Sequence, residues 1–143
     1  MSLKESEWYG VNLASERLGA QAIYASDDFF APKERMLQDS APVFIVDKYD
    51  DHGKWMDGWE SRRKREEGFD YCIVKLGVSG RIRKLEIDTR HFTGNYPPAA
   101  TVLACYSEHE PSEDTQWTDL TGTQALKGDS RHLLDVASDA VFN

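Results

Sequence analysis

GKWMDGWESRRKREEGFDYCIVKLGVSGRIRKLEIDTRHFTGN, residues 53–95, contains the two segments that decide the fold. Between Phe69 and Leu76, Cys72, Val74 and Leu76 fall on one face and Tyr71, Ile73 and Lys75 on the other. Successive strand side chains point to opposite faces, so this period of two reads as strand rather than helix. Ile82 to Asp88 resumes the pattern, with Leu85 and Ile87 opposite Lys84, Glu86 and Asp88. Gly77 to Gly80 supplies a turn between them. The pair therefore reads as a hairpin, or as neighbours in an antiparallel sheet.

Working outward, Asn95-Tyr96-Pro97-Pro98 breaks regular structure, and Ala99 to Ser107 is a further strand candidate. Glu108 to Gln116 is an acidic loop and Trp117 to Leu120 a short strand. Arg131 to Val136 reads as strand or turn. No clear terminal strand follows in residues 138–143, which predicts an open sheet edge. Upstream, Pro42-Val43-Phe44-Ile45-Val46 is a β-rich run after a proline, and Gln21 to Ser26 a second apolar run. Asp27 and Asp28 suit a turn or cap, and Pro32 suits the start of a short helix through Leu37. Residues 12–19 read as irregular, with Leu13 and Leu18 touching the core, and residues 1–10 as a loose arm. Many short strands and one short helix predict an all-β chain: an antiparallel β-sandwich or jelly roll, as one domain over residues 11–143.

The 143 residues are enough to bury a core. A net charge of −8 disfavours nucleic acid, because counterion release needs a positive face. A local arginine pair can still hold a small anion. Cys72 and Cys105 lie in apolar runs and read as buried thiols, which suits a reducing, cytoplasmic setting. No stretch approaches the ~20 apolar residues of a membrane helix, so no membrane partner is expected.

Three groups carry candidate chemistry, two of them more specific than the third. In the polar run from Asp88 to Asn95, His91 can act as general acid or base and Asp88 can orient it. The competing reading is that Asp88 and Thr89 bond backbone amides in a turn, with His91 on the surface. In the run from Asp57 to Arg63, Trp59 supplies a flat apolar wall, and Arg62 and Arg63 supply forks that grip a carboxylate. Glu60 can shuttle a proton if desolvation raises its pKa. Here the competing reading is a solvated basic loop with Trp59 plugging the core. Glu16-Arg17 and Asp27-Asp28 form a third, unspecific group that an ion pair or a cap explains equally well. His52, His91, His109 and His132 show no ligand spacing, yet a divalent cation such as Mn²⁺ held by Asp, Glu and one His from distant loops stays open.

Six blocks, in this order, resemble the allantoicases: NLASERLG (12–19), SDDFFAP (26–32), PVFIVDKY (42–49), GKWMDGWESRRKR (53–65), FDYCIVKLG (69–77) and IDTRHFTGNYPPAA (87–100). The resemblance implies a galactose-binding-domain-like jelly roll. It also implies a hydrolase of purine (allantoin) degradation, converting allantoate and water to ureidoglycolate and urea. Allantoicases look like tandem pairs of such domains. This chain resembles the first, truncated before its closing block and without the second. On allantoate, Glu60, Asp88 and His91 are the expected catalytic residues. Arg62, Arg63, Trp59, Thr89 and Asn95 are the expected substrate-binding residues, and a homo-oligomer is expected. The alternative is a non-catalytic galactose-binding-like module for a small ligand or a subunit. A third reading is an oligomerisation domain whose open edge pairs with a partner.

Overall fold

Strand β1 (Gln21–Ala25) pairs antiparallel with β4 (Cys72–Lys75) in a computed structural model that describes residues 10–143. The register runs from Gln21 opposite Lys75 to Ala25 opposite Cys72, with a bulge between Ala22 and Tyr24. The predicted inward face of β4 is found: Cys72 and Val74 pack on the buried cluster of Ala20, Ala22 and Leu37. Leu37 ends a 3₁₀ turn over Lys33–Leu37, which Pro32 opens and whose first amide bonds the Asp28 carboxylate at 3.2 Å.

The expected hairpin is not formed. The second strand, β6 (Lys84–Asp88), pairs with β11 (Arg131–Asp135) rather than with β4. The connection between them explains why. Gly77 is pressed against the Leu18 carbonyl, and the Leu76 amide donates to the Asn143 carbonyl at 2.8 Å. Gly80 and Arg81 form β5, which takes β12 (Val141–Phe142) as its partner. The last residue of the supposed turn, Gly80, therefore begins a strand of another ladder.

That ladder also corrects the expectation at the C-terminus. Phe142 is 3% exposed and packs with Ala104 and Leu120. The Asn143 side chain holds both backbone groups of Ser107, at 2.9 and 2.6 Å. Two-residue strands are too short to show a period, so the sequence pattern misses them.

Four further short strands complete two more pairs. β7 (Ala99–Ala100) joins β10 (Gln124–Ala125), and β8 (Leu103–Ala104) joins β9 (Thr118–Asp119). The single strand expected over Ala99–Ser107 is thus broken, because the Val102 amide bonds the Thr121 hydroxyl instead of a ladder carbonyl. A local hairpin, β2 (Tyr49–Asp50) with β3 (Gly53–Lys54), turns through Asp51 and His52 into Gly53, whose φ of +127° favours glycine. The architecture is an all-β, antiparallel sandwich of jelly-roll type.

The strand expected over Pro42–Val46 is absent. The Pro42 carbonyl accepts from the His91 ring at 3.1 Å, and the Val43 amide donates to the Asp57 carboxylate at 2.9 Å. Side chains have taken the groups a ladder would use, and Val43 to Val46 stay exposed. Residues 12–19 contain a 3₁₀ turn, Glu16–Leu18, capped by Ser15 and Gly19. Of the two leucines expected on the core, Leu13 packs at Gly80 and Leu18 is 37% exposed. The loose arm expected over residues 1–10 lies, for residues 1–9, outside the described residues. Among the described residues no helix is long and apolar enough to cross a membrane.

Candidate active site

The two motif loops meet. Met56 and Phe92, one from each loop, are buried in a single cluster with Ala31, and Tyr96 packs against it. The Phe92 ring lies so near Gly58 that a Cβ there would sit 3.2 Å from it. Above this apolar contact the Asn95 amide donates to a Glu60 carboxylate oxygen at 2.9 Å. Glu60 is fixed from behind by its own backbone: its carbonyl accepts from the Phe30 and Ala31 amides, and its amide donates to the Ala31 carbonyl. Burial pushes the Glu60 carboxyl above its ordinary value, and the Asn95 bond only partly offsets this. A half-buried carboxyl whose proton is held more tightly than usual is suited to acid–base work.

Beside Glu60, the loop is anchored on Asp27. One Asp27 carboxylate oxygen accepts from the Arg62 side-chain Nε at 2.9 Å and from its amide at 3.3 Å. The other accepts from the Phe29 amide at 2.9 Å, and the Asp27 carbonyl accepts from the Trp59 indole at 2.8 Å. Burial alone would raise the Asp27 carboxyl, but the Arg62 and Phe29 bonds outweigh it and hold it below its usual value. The Arg62 guanidinium lies over the Phe29 ring, 5.1 Å from its centre. Arg62 and Arg63 line an open groove of about 420 Å³, together with Ser26, Asp27, Lys64, Arg65, Glu66 and Asp70.

The remaining candidates are turned elsewhere. Asp88 is paired with Arg90, with Nη2 at 2.7 Å, and also accepts from the Arg90 amide. Thr89 is 5% exposed. Its hydroxyl donates to the Lys127 carbonyl at 2.6 Å and accepts from the Ser130 amide at 3.1 Å. These are turn-building bonds. His91 adopts a φ of +70°, stacks on Phe44 and donates through Nε2 to Pro42, so it braces the exposed 42–46 segment. Among the described residues no three His, Cys, Asp or Glu side chains converge as a metal site. Cys72 and Cys105 are unpaired, and burial pushes the Cys72 thiol up to about 11, far from a thiolate nucleophile.

The residues from 11 to 143 match the family model described as the allantoicase repeat. The chain belongs to the allantoicase family. It is 56% identical over 133 residues to a probable allantoicase of Photobacterium profundum, covering 92% of this chain and 40% of that one. It is 58% identical over 126 residues to a probable allantoicase of Ralstonia nicotianae, covering 87% and 38%. The crystal structure of allantoicase from Saccharomyces cerevisiae superposes with a TM-score of 0.77 at 32% identity, covering 92% of this chain and 41% of that one. The chain thus spans about 40% of the length of the relatives it matches.

Within this allantoicase repeat, sequence reasoning weighed Asp27 as a cap or as half of an unspecified ion pair, and the structure makes it both, with Arg62 as the partner. Its bond to the Phe29 amide is legible as a local turn. Its hold on Arg62, 35 residues on, is not. Thr89→Val is expected to lower stability by about 2 kcal/mol, because an isosteric valine leaves the Ser130 amide and Lys127 carbonyl unpaired. Thermal melting should show a fall of roughly 6 °C. The same change at exposed Thr93 should leave the melt where it was.

Proposed function

We propose that this repeat is the N-terminal unit of a cytoplasmic allantoicase and takes part in the hydrolysis of allantoate to ureidoglycolate and urea. The observation that carries the reading is the bond between Glu60 and Asn95, which joins the two motif loops two residues before Arg62, and Arg62 lines the arginine groove. A length of about 40% of the relatives leaves room for a second unit of similar size.

Allantoate bears one carboxylate and two ureido groups on a single carbon. Arg62 and Arg63 grip the carboxylate, and Trp59 walls the site. Asn95, oriented by Glu60, bonds a ureido group. Protonated Glu60 gives its proton to the leaving urea nitrogen as the C–N bond breaks. A water then adds to the carbon, forming the C–O bond and returning a proton to Glu60. Asp88 and Thr89 hold the turn that presents Asn95, and His91 braces its flank.

The test is urea release from allantoate, with and without Mn²⁺, by the 143-residue chain alone and by the chain joined to a second allantoicase repeat. The joined protein is expected to release urea. If it leaves allantoate intact under both conditions, the reading fails.

A further inference from the structure

We infer that Asp27 is a positioning residue that aims Arg62 at a small carboxylate ligand. The inference rests on the proposed role of Arg62 as carboxylate clamp. Asp27 closes the end of β1, which packing against β4 fixes in place. From there it takes Nε and the backbone amide of Arg62 on one oxygen, and through its carbonyl it takes the Trp59 indole. The carboxylate itself is shielded, with its side chain 17% exposed, while the Arg62 side chain is 63% exposed.

The division of the guanidinium is what matters. An arginine carries five N–H donors in a rigid plane. Asp27 uses the one on Nε, and the Phe29 ring supports the plane. Among the described residues neither Nη group of Arg62 has a hydrogen-bond partner. The Asp27 bond and the Phe29 ring therefore restrict the rotations of Arg62, and its two Nη groups remain available to a ligand in the groove that Arg62 lines. A planar anion with two oxygens matches that edge; a neutral amide of the same shape does not. Preorganisation of this kind improves affinity by removing the cost of ordering a long side chain on binding.

The experiment is calorimetric titration of the 143-residue chain with allantoate and with its neutral carboxamide, for wild type, Asp27→Asn, Arg62→Lys and Arg62→Ala. An asparagine retains one oxygen for the Phe29 amide but turns an NH₂ toward Arg62. Asp27→Asn is expected to weaken allantoate binding about tenfold and to leave carboxamide binding unchanged. Arg62→Lys, which keeps the charge and loses the fork, should show the same selective loss and serves as the second route if Asp27→Asn melts early. Equal weakening of both ligands by Asp27→Asn and by Arg62→Lys means a merely structural role and overturns the inference. So does wild-type allantoate affinity in Asp27→Asn alongside a loss in Arg62→Ala, in which case the clamp stands. A wild type that binds allantoate no tighter than the carboxamide, or an Arg62→Ala variant that binds it as wild type does, removes the clamp and the inference with it.

Discussion

Glu60→Gln is expected to lower kcat for allantoate by about 10²–10⁴-fold in an active allantoicase carrying this repeat, with KM changed little. Glutamine keeps an oxygen for the Asn95 amide, so the junction of the two loops survives while the transferable proton is lost. The same variant should be more stable at neutral pH. Burial raises the Glu60 carboxyl in the folded state above its unfolded value, so the folded state holds the proton more tightly. The stabilising contribution of the protonated form is complete below the unfolded value and is lost as pH rises through the folded one. Above that window the buried carboxylate destabilises the fold, and an uncharged amide does not. The melting temperature of Glu60→Gln should exceed that of wild type at pH 7, and the gap should close toward acid. An unchanged kcat would remove Glu60 from the chemistry. A gap that stays open at low pH would remove its burial as the cause.

The sequence carries the strand faces of this fold better than its pairings. Cys72 and Val74 turn inward as their alternation says, because that depends on neighbours two residues apart. Which strand lies beside them does not: the partner of Lys75 is Gln21, and that of Asp88 is Arg131. The 42–46 segment has strand-forming residues and no ladder, since Asp57 and His91 reach its backbone first, from positions no local pattern links to it. The candidate site divides along the same line. Both polar blocks stand out by composition, and their junction is made by Met56 against Phe92 and Glu60 against Asn95. Asp27 looks like any turn aspartate until Arg62 is brought against it by the fold.

Gly77→Ala is expected to destabilise the chain by about 3 kcal/mol or more, at the upper end of overpacking costs. A Cβ at position 77 would lie 1.9 Å from the Leu18 carbonyl oxygen and 2.7 Å from the Leu18 and Gly19 carbonyl carbons. These are backbone atoms, so no side-chain rotation relieves the clash. Leu18 and Gly19 cannot retreat cheaply either. The Leu18 amide is bonded to the Ser15 carbonyl and the Gly19 amide to the Glu16 carbonyl, and Ser15 is tied through its hydroxyl to Asp39. On the other side, Leu76 is held by the terminal Asn143 carbonyl. Pushing the 76–77 backbone away would therefore pull on the C-terminal strand. A domain of this kind has about 5–15 kcal/mol in total, so the loss should appear as a fall of roughly 10 °C or more in calorimetric Tm. Gly94→Ala is the matched control: nothing lies within 4 Å of a Cβ there, and the melt should barely move. If the two variants melt together, the close approach of the 18–19 and 76–77 backbones is not a constraint on this fold.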